Sequence, residues 1–99
     1  MNLTEFLDEP LVKPHICQET RKRIKLSVYA YAYEFDQPIV DDGTFDALAY
    51  SIDVNIKTNR PELDKFFRKE FSPDTGMWIH KHPELDKLKI IYEKHYKKG

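Results

Sequence analysis

The stretch YAYAYEFDQPIVDDGTFD spans residues 29–46 and decides the fold. Its first part continues a long helix predicted from Gln18 to Phe35, because apolar side chains recur there at helical spacing on one face: Ile24, Val28, Tyr31 and Phe35. Asp36-Gln37-Pro38 ends this helix, since proline disfavours helical geometry in the residue before it. The carboxylate of Asp42 is suited to cap a new helix. The stretch therefore predicts a helical hairpin.

The second helix of the hairpin should bury an apolar stripe made of Phe45, Leu48, Ala49, Ile52 and Ile56. A third helix should follow Asn59, which caps it, with Pro61 in the first turn, where a missing N–H does no harm. The turn-forming residues 72–76 interrupt the chain. A last helix should then open at His82-Pro83 and run to Lys97, with Leu85, Leu88, Tyr92 and either Ile91 or Tyr96 facing inward.

Composition favours helices over strands, because no alternating Val, Ile or Thr runs are bounded by turn pairs and only three glycines are present. A short turn or helix is predicted at Leu3–Leu7, and Pro14 should keep the next residues extended. Ninety-nine residues suit one domain. We therefore predict a single helical domain over residues 1–99, an all-α bundle of about four helices with the hairpin at its centre and a C-terminal loop and helix at 72–99.

Charge is balanced, with a net value of −1, which gives no reason to expect a strong grip on nucleic acid or anionic lipid. The cluster Arg21, Lys22, Arg23 and Lys25 lies early in the first helix, where cations oppose the helix dipole, so we expect it to be solvated. Lysines interleaved with Tyr92 and Tyr96 near the C-terminus leave nucleic-acid contact as an alternative, but cations also stabilise a helix end.

A single cysteine, Cys17, excludes an internal disulfide. The acidic N-terminus lacks the features of a signal peptide, and no apolar run approaches the ~20 residues of a membrane span. We therefore expect a cytoplasmic protein without membrane association.

The hairpin and the segment after it resemble the N-terminal helical subdomain of bacterial NAD-dependent DNA ligases, over about residues 20–64. That family has an aromatic-rich helix, then Asp-x-Pro, an aliphatic residue, a capping Asp and a Tyr-Asp pair followed by Leu. The matching positions here are Asp36, Pro38, Val40, Asp42, Phe45, Asp46 and Leu48, and Pro61-Glu62-Leu63 matches a later His-Pro-Glu-Leu segment with about one extra residue.

In the ligases this subdomain closes over the nicotinamide mononucleotide half of NAD, so the resemblance implies cofactor-binding roles for Tyr33, Asp42, Phe45 and Asp46. A cationic nicotinamide ring favours neighbouring carboxylates and aromatic faces. Two departures weaken the match: Ala32 replaces an aromatic that packs on nicotinamide, and Phe45 lacks the hydroxyl of the family's tyrosine. The same residues also make sense without a ligand, as a cap and as core side chains.

Ligase chemistry needs a nucleophilic lysine in a Lys-x-Asp-Gly setting, and this sequence contains none. We therefore predict no enzyme activity and no catalytic residue. His80 and His82 could combine with His15 and Cys17 as zinc ligands, but their spacing is not that of structural zinc sites, and we expect no metal.

Trp78 lies in the apolar cluster Met77-Trp78-Ile79, which either closes the core or presents a partner-binding patch. The sequence thus favours a non-enzymatic protein-binding or regulatory module, of the kind found in a phage or accessory protein, with another protein as its partner. The alternatives are a module that binds NAD or nicotinamide mononucleotide, although we expect no resident cofactor, and an accessory partner of a nucleic-acid enzyme.

Overall fold

Helices make up the regular structure of the described part of the chain. The computed structural model describes the backbone of residues 14–96 and the side chains of residues 18–96. The elements are α1 Pro14–Phe35, α2 Asp42–Tyr50, α3 Pro61–Glu70, a 3-10 helix Met77–Lys81 and α4 Leu85–His95. No strand occurs in residues 14–96, so the predicted all-α bundle of about four helices is confirmed. The predicted helix at Leu3–Leu7 and the side chains of His15 and Cys17 lie outside the described residues.

Helix α1 is the centre of the bundle, because α2, the 3-10 helix and α4 all pack against it. Its buried side chains therefore cover more than one face: Leu26, Val28, Tyr29, Ala30 and Ala32. The prediction of one buried face is correct for Val28 but wrong for Phe35, which is 46% exposed. Periodicity identifies one apolar stripe, whereas a central helix buries whichever side chains its neighbours cover.

A proline determines each end of α1: Pro14 at its start and Pro38 after its end. Pro14 is the first residue of the helix rather than part of an extended segment, since the first turn of a helix tolerates a missing N–H. The helix ends at Phe35, and the N–H of Asp36 closes the last turn by donating to the carbonyl of Ala32 at 3.1 Å. The predicted break before Pro38 is confirmed.

A buried ion network ties α1 to α3 and to the loop between α2 and α3. Arg23 donates from Nε to Glu19 at 2.7 Å and from Nη1 to Asp64 at 2.8 Å. Its Nη2 donates to the carbonyl oxygens of Asp53 and Ile56 at 2.7 and 3.0 Å. The predicted solvation is therefore wrong for Arg23, which is 4% exposed, because acids and carbonyls distant in sequence surround its guanidinium group.

The start of α3 is held by Asp64 and not by the predicted cap Asn59. The carboxylate of Asp64 accepts from the hydroxyl of Thr58 at 2.6 Å and from its N–H at 2.9 Å. Burial raises the pKa of Asp64, but the hydrogen bonds from Thr58 and Arg23 outweigh it and leave this pKa below its ordinary value. Asn59 instead adopts a φ of 69°, and the N-cap position belongs to Arg60, whose side chain makes no capping bond.

The C-terminal half completes the core. Trp78 is 4% exposed and lies against Phe66, Phe67 and Phe71, with ring centroids 5.2 to 6.2 Å apart. Helix α4 spans Leu85–His95. It therefore starts later than the predicted His82-Pro83 and ends earlier than the predicted Lys97.

Helix α4 buries Leu88 and Tyr92, as predicted, with Ile91 half-buried and Tyr96 exposed. No helix within residues 14–96 has the length and apolarity needed to cross a membrane.

Candidate functional site

The hairpin of α1 and α2 brings together three of the four residues predicted to bind a cofactor. The hydroxyl of Tyr33, near the end of α1, donates to Oδ1 of Asp42, the first residue of α2. The ring of Tyr33 lies 5.7 Å from the ring of Phe45, measured between centroids. Tyr33 is 39% exposed and Phe45 is 7% exposed. Phe45 is therefore buried against the ring of Tyr33, whereas Tyr33 and Asp42 are exposed to solvent.

The helix start is built by Asp41, which leaves Asp42 available for Tyr33. Asp41 has an extended backbone, and its Oδ1 accepts from the N–H of Thr44 at 2.6 Å. This bond lowers the pKa of Asp41. The predicted helix boundary at Asp42 is correct, but the predicted capping role belongs to the residue before it, because an N-cap residue lies just outside the helix.

A row of acidic and tyrosine side chains extends from Asp42 along α2. Asp42, Asp46 and Tyr50 are spaced four residues apart, which places them on one face of the helix, and all three are exposed. At the far end the hydroxyl of Tyr50 donates to Oδ1 of Asp74, in the turn before the 3-10 helix. We call the row Tyr33, Asp42, Asp46, Tyr50 and Asp74 the acidic–tyrosine stripe.

The electrostatics of the stripe are strongly negative. The hydrogen bond to Asp74, its charge and the charge of Asp46 all raise the pKa of Tyr50. Residues 26–56 contain six carboxylates and no Lys, Arg or His. Among the ion pairs of residues 18–96, none involves Asp42, Asp46 or Asp74. The three carboxylates therefore face solvent without a cation of the described chain to neutralise them.

Sequence reasoning missed Tyr50 and Asp74. Tyr50 could have been found from its spacing of four residues from Asp46, and the run without basic residues marks the acidic surface. Asp74 could not have been found, because only the packing of the turn at residues 72–76 beside α2 brings it to Tyr50. A Cβ added at Gly76 would lie 3.7 Å from Cζ of Phe45, which shows how closely this turn approaches the hairpin.

Two predicted features take other positions. Ala32, where the ligase resemblance implies a lost nicotinamide-stacking ring, is fully buried in the core. Trp78 is also buried, and its Nε1 donates to the carbonyl of Thr75 at 2.8 Å. Trp78 therefore closes the core, which is one of the two predicted roles, and a partner-binding role for it stays a prediction. Its neighbour Met77 is 59% exposed.

The two histidines considered as zinc ligands do not share a site. His80 is exposed and pairs with Glu34 at 2.8 Å, while His82 is buried against the ring of Phe66. Within the described residues, no group of three or more His, Cys, Asp and Glu side chains converges as a metal site.

No protein family, curated protein or solved structure matches this chain. The resemblance to the ligase subdomain stays a prediction.

Proposed function

We propose that this chain is a non-enzymatic protein-binding module whose binding surface is the acidic–tyrosine stripe and whose partner presents a Lys- or Arg-rich segment. The observation that carries the proposal is the exposed row of carboxylates on one face of α2, with a tyrosine hydrogen-bonded to a carboxylate at each end.

The chemistry of the stripe suits a guanidinium or ammonium group. Carboxylates accept charge-assisted hydrogen bonds from arginine and lysine, and these bonds are about twice as strong as neutral ones. Exposed tyrosine rings offer aromatic faces to the same cations, at about 0.5–1 kcal/mol for each exposed contact. Tyr50, at 63% exposed, offers the larger ring surface, and tyrosine is a residue enriched in protein interfaces.

The buried framework beneath the stripe supports binding by a fixed surface. The ring of Phe45 contacts Tyr33, and the cap at Asp41 fixes the start of α2. Side chains held in this way lose less conformational freedom on binding, so more of the interaction energy remains as affinity. Proteins that act on nucleic acid carry basic segments of the required kind, which makes an accessory role beside such a protein consistent with the proposal.

An NMR titration with two peptides tests the proposal. One peptide carries alternating Arg and Gly residues, and the other has Glu in place of Arg. We expect the arginine peptide to shift the amide signals of Asp42, Asp46 and Tyr50 in a saturable way, and the glutamate peptide to shift none of them. Affinity for the arginine peptide should fall as salt is raised from about 0.05 to 0.5 M, since screening weakens exposed charge pairs.

Matched variants make the test specific. Asp46→Asn should weaken binding of the arginine peptide, whereas Glu62→Gln, which removes an exposed charge from α3, should leave it unchanged. Tyr50→Phe retains the ring and should bind better than Tyr50→Ala. Equal weakening by Asp46→Asn and Glu62→Gln would show attraction to net charge alone and would contradict a defined binding surface.

A second candidate function is recognition of NAD or nicotinamide mononucleotide, which is favoured by the contacts of Tyr33 with Asp42 and Phe45. A nicotinamide ring is a flat cation, and it would meet the same carboxylates and exposed ring. Titration with each nucleotide to millimolar concentration distinguishes the candidates. Shifts at Asp42 and Asp46 that disappear in Asp46→Ala would support this function, and unchanged spectra would exclude it.

A further inference from the structure

A cavity of about 170 Å³ lies between α1, α3 and α4, apart from the acidic–tyrosine stripe. Most of its accessible wall is apolar, and all three helices contribute apolar side chains to it: Ile24, Leu63, Phe67, Leu88 and Ile91. An apolar cavity of roughly 150 Å³ accommodates a benzene-sized guest. The space between these helices is therefore large enough for a single ring.

His82 provides a hydrogen-bond donor in this apolar surrounding. It lines the cavity and is 8% exposed. Its Nδ1 accepts from the N–H of Glu84 at 2.9 Å, so the proton of the neutral ring is on Nε2. Burial lowers the pKa of His82 to about 4, which keeps the ring neutral at pH 7.

The Nε2–H group of His82 is available to a ligand. No residue of the described chain forms a hydrogen bond with Nε2 of His82. Every fully buried side-chain nitrogen or oxygen of the described residues has a partner, so this unpartnered nitrogen must border accessible space. His82 lines the cavity, so the accessible space beside its ring includes the cavity.

The mouth of the cavity carries a positive charge excess. Its charged lining residues include the half-buried Arg60 and Glu84 and the exposed Lys87. Glu84 pairs with Arg60 at 2.9 Å and with Lys87 at 2.7 Å, so two cations share one carboxylate. The charge of Glu84 raises the pKa of His82 and the charge of Arg60 lowers it by less, so both side chains lie near this histidine. Two cations against one carboxylate favour an anionic group beside Arg60 and Lys87.

We propose that the cavity binds a small carboxylic acid with a single apolar ring. The ring lies among Leu63, Phe67 and Leu88. The carboxylate accepts from Nε2–H of His82 and faces Arg60 and Lys87. This site is separate from the stripe and holds whether or not the stripe binds a basic partner.

Methyl-detected NMR of the intact chain with three probes tests the site. Benzoate has the ring and the anion, toluene has the ring alone, and benzylamine has the ring with a cation. We expect benzoate to shift the methyl signals of Leu63, Leu88 and Ile91 in a saturable way. Toluene and benzylamine should bind about tenfold or more weakly, since loss of one charge-assisted hydrogen bond has about this effect.

Variants separate the contribution of each group. His82→Phe keeps an aromatic ring beside Phe66 but removes the donor, and it should weaken benzoate by about tenfold while leaving toluene unchanged. Lys87→Met, at an exposed position, should also weaken benzoate and serves as the test if His82→Phe fails to fold. Ile90→Ala is the matched control, because Ile90 is 62% exposed on the same helix.

Several results would overturn the proposal. These are the absence of saturable methyl shifts with benzoate, equal affinity for benzoate and toluene, and benzoate binding that neither His82→Phe nor Lys87→Met weakens. A benzoate response at Ile90 equal to that at Ile91 would indicate surface adsorption and would also contradict the site.

Discussion

Replacement of Arg23 by Met removes the centre of the buried ion network while retaining a long apolar stem. In the native chain the guanidinium group satisfies Glu19, Asp64 and the carbonyl oxygens of Asp53 and Ile56. It also lies 5.2 Å from the ring centroid of Phe67. Arg23→Met leaves Asp64 buried without its cation, leaves Glu19 with the more distant Lys22 at 3.4 Å, and removes the Arg23 donor from two carbonyls.

The structure indicates a large loss of stability. Removing one partner from a buried ion pair costs about 3–5 kcal/mol, because the remaining charge is buried without compensation. A domain of this length has roughly 5–15 kcal/mol of stability in total. With a urea m-value of about 1.5 kcal/mol/M, the unfolding midpoint of Arg23→Met should fall by roughly 2–3 M.

Urea unfolding at pH 7, followed by Trp78 fluorescence and by far-UV circular dichroism, measures the effect. Arg68→Met is the matched control, since Arg68 is exposed on α3, and its midpoint should correspond to a change of no more than about 0.5 kcal/mol. Arg23→Lys keeps the charge but lacks the forked donors, so its midpoint should lie between those of Arg23→Met and the native chain. A loss below about 1 kcal/mol in Arg23→Met would refute the reasoning that this network holds α3 and the preceding loop on α1.

Three further outcomes are expected. The pKa of His82 falls on folding from 6.5 to about 4, so the unfolded chain binds more protons between these values and stability should decrease as pH falls from 6.5 towards 4. Urea titrations at pH 7 and 4.5 measure this decrease, and His82→Phe should make it about 2 kcal/mol smaller. A similar reduction in His80→Gln, which alters an exposed histidine, would contradict the assignment of the pH dependence to His82. Asp41→Ala should lose the N-cap of α2 and about 1 kcal/mol, measured by thermal unfolding, while Asp42→Ala should keep the cap; equal losses would refute the assignment of the cap to Asp41. Trp78→Ala should lose about 3–5 kcal/mol of unfolding free energy, and a loss below about 1 kcal/mol would mean that the indole does not close the core.

Local chemistry determined where most helices begin and end. The first helix ends three residues before Pro38, and Pro61 opens α3, because a proline ring excludes certain backbone geometries whatever surrounds it. The apolar stripe predicted for α2 is confirmed at Phe45 and Ala49, which are buried, and Leu48 is half-buried. The prediction is wrong in placing Ile52 and Ile56 on this helix, because α2 ends at Tyr50 and both residues are half-buried in the loop that follows. The resemblance to the ligase subdomain grouped Tyr33, Asp42 and Phe45, and these three residues are in contact in the hairpin.

Tertiary structure decided the environment of the polar groups. Arg23 belongs to a cluster of basic residues that resembles a solvated face, yet Glu19 and Asp64 make it the centre of a buried network. Asp74 joins Tyr50 and His82 faces a cavity only because residues more than ten positions apart are packed together. Backbone preferences act within a few residues and can be read along the chain, whereas burial and ion pairing depend on which distant side chains meet, and only the folded bundle brings them together.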